Sequence, residues 1–144
     1  MLRSGVWTLR SVAERYFSPR EVEALIPALT EIMEDLMRAQ AAAAEARERL
    51  RAEQQRLAMA GGGMLDQAEW GEAKRRLERE TQRVERGVGK VTKLGGITKD
   101  LGTGLVDFAH RRDGRVVNLC WKYGETEIRY WHGLDEGYAA RKPL

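Results

Sequence analysis

The chain has 144 residues, of which 42% are hydrophobic and 33% charged, with a formal net charge of +3. This composition excludes an intrinsically disordered chain, because enough apolar surface is present to form a core, and the high charge indicates long solvated helices. No apolar run reaches the ~20 residues of a membrane-spanning helix. The single cysteine, Cys120, excludes an internal disulfide and is typical of a reducing cytosol, so we expect a cytoplasmic protein that does not enter the membrane.

Residues 1–17 are predicted to form a flexible N-terminal tail. Arg10 and Ser11 interrupt its apolar residues, so the segment lacks the continuous apolar stretch of a secretion signal. A start codon assigned too far upstream is an alternative explanation, and the sequence leaves open whether these residues belong to the native protein.

The first helix is predicted to begin at a cluster of start signals. Ser18 suits the N-cap, Pro19 the first helical position and Glu21 the third. Ser18 and Glu21 can then form a capping box, and Phe17 can pack on Val22 one turn later.

Pro27 lies inside this helical segment and lacks the N–H that an interior helical position needs. We therefore expect a short helix over residues 19–26, a kink or break, and a long helix to about Met59. Apolar residues recur every seven positions, at Val22, Leu29, Leu36, Ala43, Leu50 and Leu57, and a second position of the repeat holds Leu25, Ile32, Ala39 and Ala46. A repeat of this length predicts left-handed supercoiling against a partner helix.

A second helix is predicted after the glycines at 61–63, with Asp66 and Glu69 as a second capping box. Its heptad positions are Trp70, Leu77, Val84 and Val91, and the glycines at 95 and 96 close it. Residues 18–60 contain six basic and eight acidic side chains, whereas residues 61–94 contain eight and six, so the two helices carry opposite net charge. This favours an antiparallel pair. Because helix one outruns helix two, its surplus apolar seam should pack on the C-terminal part or on a second subunit.

From residue 104 the apolar period changes to two, and strands are predicted at 105–111, 115–123 and 128–132. Asp113 and Gly114 form a two-residue hairpin signal, residues 124–127 supply the second turn, and residues 133–144 are expected to be an irregular tail. The predicted fold class is α+β. A long antiparallel helical hairpin, coiled-coil-like, covers residues 18–96. A small three-stranded antiparallel β-meander with its tail covers 97–144, packed with the hairpin as one domain.

The two predicted turns imply a strand register. Asp107, Cys120 and Trp131 then lie side by side on the sheet face away from the core, as a candidate interaction surface. Its cover would be a partner subunit, a small ligand or three apolar residues of the chain's own tail, Leu134, Tyr138 and Leu144. His132 falls on the opposite face, which argues against a Cys120–His132 catalytic pair. Beside Asp107, the thiol is expected to be unreactive, because a nearby negative charge disfavours the thiolate.

Six cations follow helix two at spacings of three and four: Arg76, Arg79, Arg83, Arg86, Lys90 and Lys93. Such a stripe could contact nucleic-acid phosphates, but we favour a solvated face paired with helix-one acids such as Glu45, Glu48 and Glu53. No aromatic residues interleave it, which argues against single-strand stacking. The chain has no CxxC, no HExxH and no histidines at helical spacing. We therefore predict no metal site, no cofactor and no catalytic residues.

Several short motifs are specific as a set and weak singly. They are Tyr16-Phe17-Ser18 and Leu25-Ile26-Pro27 near the start, then Gly104-Leu105-Val106-Asp107-Phe108, Leu119-Cys120-Trp121, Trp131-His132, Leu134-Asp135-Glu136-Gly137-Tyr138 and Arg141-Lys142-Pro143-Leu144. This set resembles a bacterial family catalogued as domain of unknown function 2203, over residues 15–144. Gly102 departs from the family's usual acidic residue and Ala109 from its usual proline. The family has no established activity, so the resemblance implies an architecture and no reaction.

The leading functional interpretation is an oligomeric structural or interaction protein, at least a homodimer. The alternative is a nucleic-acid- or ribosome-associated binding module that uses the basic stripe of helix two. A small-ligand protein or enzyme that uses the C-terminal sheet comes third, so an enzyme is the less favoured expectation. The sequence identifies no ligand, partner or stoichiometry.

Overall fold

The computed structural model describes residues 15–61 and 66–144. Two helices, α1 (Pro19–Met59) and α2 (Gln67–Leu94), precede five strands: β1 (Ile97–Asp100), β2 (Leu105–Arg112), β3 (Arg115–Lys122), β4 (Tyr130–His132) and β5 (Lys142–Pro143). The strands form one antiparallel sheet in the order β1-β2-β3-β4-β5. The predicted α+β class is therefore confirmed. Residues 1–14 of the predicted N-terminal tail lie outside the described residues. Among the described residues, no helix is long and apolar enough to cross a membrane.

The start of α1 carries the predicted capping box. The Glu21 backbone N–H donates to Ser18 Oγ at 3.1 Å, and the Ser18 N–H donates to Glu21 Oε1 at 2.8 Å. The predicted break at Pro27 is wrong, since α1 continues for 41 residues, about 60 Å. Pro27 lies on the exposed side, and the buried neighbours Ile26 and Leu29 hold the helix against the core on both sides of it.

The two helices pack against each other and, at one end, against the sheet. The buried residues of α1 are Val22, Ile26, Leu29, Met33, Leu36, Ala39, Ala43 and Ala46. In the first half, Ile26 and Met33 are more buried than the predicted seam residues Leu25 and Ile32. This half of α1 contacts both α2 and the sheet, which requires a wider apolar stripe than one helix partner does. Of the two covers that the sequence left open for this seam, the C-terminal part or a second subunit, the sheet of the same chain supplies one, while Leu25 and Ile32 remain partly exposed.

A glycine in α2 brings the helices close together. A Cβ at Gly87 would lie 2.6 Å from Leu36 Cγ, so any side chain there would overlap the buried leucine. Eight residues later, Gly95 ends α2 in the left-handed conformation, with φ of 99°. The N–H groups of Gly95 and Gly96 donate to the carbonyls of Thr92 and Val91, which closes the helix before β1.

The sheet has five strands rather than the predicted three, and part of the predicted irregular tail forms β5. The missed strands give weak sequence signals. β1 has four residues and includes charged ones, and β5 has two and contains Pro143. Proline is tolerated there because β5 is an edge strand.

The register between β2 and β3 agrees with the prediction, with Asp107 opposite Cys120 and Arg112 opposite Arg115. Asp113 and Gly114 both have positive φ, 51° and 78°, as a two-residue hairpin turn requires.

The predicted register between β3 and β4 is wrong by one residue, because His132 lies opposite Asn118 and Trp131 opposite Leu119. The Ile128 N–H, expected to begin this ladder, instead donates to the carboxylate of Glu23 on α1 at 2.9 Å. A shift of one residue moves every β4 side chain to the other face of the sheet.

The hydrophobic core lies between the helices and one face of the sheet. Phe108, Leu119 and Trp121 fill it from the sheet and are fully buried. Phe17 packs edge-on against Phe108 at 5.1 Å between ring centroids, and its N–H donates to Ala109 O at 2.7 Å. The residue before the α1 cap is thus part of the core.

Candidate functional site

The sheet face away from the helices, here called the rear face, carries a buried polar cluster. Asp107 on β2, Cys120 on β3 and His132 on β4 are 1%, 1% and 2% exposed. Trp131, which was predicted to belong to this surface, lies on the helix side of the sheet opposite Leu119. The structure therefore brings together two of the three predicted residues and replaces the third with its neighbour, His132.

The histidine bridges two hydrogen-bond acceptors. His132 Nε2 lies 3.1 Å from each carboxylate oxygen of Asp107, and Nδ1 lies 2.8 Å from the Gly133 carbonyl oxygen. A carbonyl oxygen only accepts, so Nδ1 carries a proton. Only Asp107 Oδ1 has the geometry of a hydrogen bond to the ring, and buried Oδ2 has no hydrogen-bond partner in the part of the chain that the structure describes.

Cys120 completes the cluster. One ligand atom from each of Asp107, Cys120 and His132 lies within 4.8 Å of the other two, which is close enough for all three to hold one ion. Burial, and secondly the negative charge of Asp107, raise the pKa of the Cys120 thiol to about 12. The direction agrees with the expectation of an unreactive thiol, although burial is a larger cause than the carboxylate.

The C-terminal tail lies over the cluster, mainly through Arg141. Its guanidinium group donates to Cys120 O at 3.0 Å and to both carboxylate oxygens of Glu125, at 2.8 and 2.9 Å. The same group stacks on the rings of Tyr130 and Tyr138, at 4.2 and 4.7 Å from their centroids.

The three tail residues predicted to cover this face, Leu134, Tyr138 and Leu144, are all exposed. Of the three, Tyr138 contacts the Arg141 guanidinium. Sequence reasoning missed Arg141 as a contact of the cluster. The motif that ends the chain was the available signal, but it does not indicate which side chain turns inward.

The basic stripe of α2 is divided into a paired and an unpaired half. Arg76 pairs with Glu45 and Arg79 with Glu72, each at 3.4 Å, and Arg83 pairs with Asp35 and Glu80. Two of the acids expected to face the stripe, Glu48 and Glu53, pair instead with arginines of α1. The other half of the stripe, Arg86, Lys90 and Lys93, has no ion pair within residues 15–61 and 66–144.

A groove of about 640 Å³ runs along the helix pair far from the sheet. Leu50 of α1 and Leu77 of α2 form its apolar floor, and both are half-buried. The rest of its lining comes from α2: Gly71, Lys74, Arg75, Glu78, Thr81, Gln82 and Glu85. This surface combines an apolar centre with charges of both signs.

The model of a family described as uncharacterized conserved protein (DUF2203) matches residues 15–144, the same range as the resemblance seen in the motifs. No curated protein and no solved structure matches the chain. With the match covering nearly all of its length, the chain belongs to the DUF2203 family.

Proposed function

We propose that the protein is a homo-oligomeric interaction protein whose distal helix pair binds a second copy of the chain. The segment concerned, here called the arm, comprises residues 39–61 and 66–83, taken as an antiparallel, coiled-coil-like hairpin. The main cluster of the hydrophobic core takes its α1 residues from Val22 to Met37 and its α2 residues from Val84 to Leu94, so it includes no residue of the arm. The buried hydrophobic residues of the arm are the alanines Ala39, Ala43, Ala46 and Ala73. The single observation that carries the proposal is the groove at Leu50 and Leu77.

The α2 side of the groove has a regular charge pattern. Gly71, Lys74, Glu78, Thr81 and Glu85 follow one another at spacings of three and four residues, so they share one face of the helix. Lys74, Glu78 and Glu85 form no ion pair among the described residues, although many neighbouring charges of the arm do. These three side chains are available for a partner.

The pattern is self-complementary. In a two-fold symmetric dimer the same patch is used by both copies, and two antiparallel α2 helices can place Lys74 of each copy opposite Glu85 of the other. Gly71 has no side chain and Thr81 has a small one, which allows the helices to approach. Leu50 and Leu77 supply apolar area to bury. This contact replaces the α1 seam as the basis for expecting a dimer.

The test is the oligomeric state of charge-reversed variants by analytical ultracentrifugation at micromolar concentration. Wild-type protein should sediment as a dimer, and Lys74→Glu should weaken association about tenfold or more, since 1.4 kcal/mol corresponds to a factor of ten. The double variant Lys74→Glu with Glu85→Lys should restore the dimer. Lys90→Glu, on α2 outside the groove, is the matched control and should leave the dimer unchanged. A wild-type monomer, or a Lys74→Glu dimer of unchanged affinity, would show that the proposal is wrong.

Nucleic-acid binding has weaker support. Half of the basic stripe is occupied by ion pairs with acidic side chains, and three unpaired cations can neutralise few phosphates. A cytoplasmic location remains part of the proposal, supported by the single buried thiol.

A further inference from the structure

We propose that Asp107, Cys120 and His132 form a binding site for one transition-metal ion, with Zn²⁺ the best match. The three side chains come from adjacent strands, so the backbone ladders of β2, β3 and β4 hold them in place before any ion binds. Their ligand atoms lie within 4.8 Å of one another, and each residue is at least 98% buried. The site is thus rigid and shielded from water.

The histidine is oriented as a metal ligand would be. Its Nδ1–H donates to the Gly133 carbonyl at 2.8 Å, which leaves the lone pair of a neutral ring on Nε2, facing Asp107 and Cys120. A hydrogen bond from the second ring nitrogen to a backbone carbonyl is a common way in which proteins orient metal-binding histidines.

The carboxylate has a free position. Asp107 is 1% exposed and its Oδ2 has no hydrogen-bond partner among the described residues. Its Oδ1 lies 3.1 Å from Nε2 of His132, and in a neutral ring with Nδ1 protonated both atoms are acceptors, so a proton or a cation must lie between them. A buried charged oxygen without a partner is destabilising. A cation between Asp107, Cys120 and His132 would satisfy the orphaned oxygen, the ring nitrogen and the sulfur together.

The charges balance for a divalent ion. A thiolate at Cys120 and a carboxylate at Asp107 carry two negative charges, so a divalent cation with a neutral His132 makes a neutral buried complex. Arg141 does not fill this role, because its guanidinium contacts both carboxylate oxygens of Glu125. The competing arrangement holds no metal: one proton is shared between His132 and Asp107, and the Cys120 thiol keeps its proton and interacts with the Asp107 carboxylate.

The donor set selects the kind of metal. A thiolate and an imidazole disfavour Mg²⁺ and Ca²⁺, which take oxygen ligands, and suit Zn²⁺, with Co²⁺ as a spectroscopic substitute. Three protein ligands leave one position of a tetrahedral ion for a water molecule or another ligand.

The test uses the full chain, freed of metal with a chelator and titrated with Co²⁺. We expect one equivalent to bind, with a thiolate-to-cobalt charge-transfer band in the near ultraviolet. Because Cys120 is the only cysteine of the chain, this band can arise from no other residue. Zn²⁺ should displace the cobalt and abolish the band, whereas excess Mg²⁺ should not. If wild-type protein shows no such band with Co²⁺ in excess, the cluster binds no metal ion and the proposal fails.

Substitutions then identify the other two ligands. Asp107→Asn and His132→Gln should weaken Co²⁺ binding more than about 100-fold, since even changes around the ligands cost about 10–100-fold. His110→Gln is the matched control, because His110 is the other histidine of the chain and its Nδ1 contacts Phe17 O instead. Circular dichroism checks that each variant folds, and for one that does not, the wild-type titration still decides the proposal. Unchanged Co²⁺ affinity in a folded Asp107→Asn or His132→Gln variant would also contradict it.

Discussion

The sheet end of the helix pair and the distal arm bury different kinds of side chain. At the sheet end Val22, Leu29 and Leu36 are at most 1% exposed. In the arm the fully buried seam consists of alanines, and ion pairs such as Arg76–Glu45 and Arg49–Glu69 join the two helices. A fully buried leucine contributes about 1.5–3 kcal/mol, whereas an exposed ion pair contributes about 0–1 kcal/mol. The fold is therefore stabilised mainly at the sheet end, and the arm can present its surface to a partner.

The largest expected effect is on the free energy of unfolding, when a leucine is replaced by alanine at the sheet end and, for comparison, in the arm. Leu36→Ala removes most of a side chain that is 1% exposed and packs against Gly87 of α2. It should lower the free energy of unfolding by about 2–5 kcal/mol. Leu57→Ala removes a half-buried side chain from the arm and should cost less than about 1 kcal/mol. Urea denaturation of the two variants measures both values. Equal losses would show that the arm is as important to stability as the core.

Two glycines of α2, Gly87 and Gly89, test how closely α1 and α2 pack at the sheet end of the helix pair. Gly87→Ala and Gly89→Ala gain the same helix propensity, about 1 kcal/mol. A Cβ at Gly87 would overlap Leu36, however, while a Cβ at Gly89 would meet nothing within 4 Å. Gly87→Ala should therefore be less stable than Gly89→Ala by about 1–3 kcal/mol in urea denaturation. In a Leu36→Ala background this difference should disappear, and its persistence would place the cause elsewhere.

The smallest expected effect concerns pH and the cap at the sheet end. The Ser18 backbone N–H, and secondly its hydroxyl group, stabilise the Glu21 carboxylate and lower its pKa below the ordinary value of 4.5. Stability from this group is complete above pH 4.5 and is lost as the pH falls through the lowered pKa. The difference in unfolding free energy between wild type and Glu21→Gln should therefore shrink on acidification. Urea denaturation of the two proteins at a series of pH values measures this difference, and a difference that stays constant on acidification would contradict the prediction.

Features that depend on neighbouring residues were predictable. The Ser18–Glu21 cap, the Asp113–Gly114 turn and the β2–β3 register follow from local chemistry, and each agrees with the structure. The continuity of α1 through Pro27 was not predictable in this way. The free-energy cost of a proline inside a helix is offset by burial of Ile26 and Leu29 against residues far away in sequence.

The cluster of Asp107, Cys120 and His132 likewise contains positions that local sequence predicts and one that it does not. The pairing of Asp107 with Cys120 could be read from the turn between their strands, whereas the position of His132 could not. The loop before β4 is held by a hydrogen bond from the Ile128 N–H to the Glu23 carboxylate. These two residues are 105 positions apart in the sequence. No pattern within the loop itself reveals that contact.

The sequence by itself determined the α+β class, the N-caps Ser18 and Asp66 of the two helices, and the β2–β3 pairing, because short-range hydrogen bonds and apolar periodicity decide these features. Only the tertiary structure decided which face of the sheet His132 joins and which helix surface remains open. A strand alternates its side chains with a period of two, so a register that differs by one residue from the predicted one exchanges Trp131 for His132 on the rear face. That exchange places a carboxylate, a thiol and an imidazole together in the buried site.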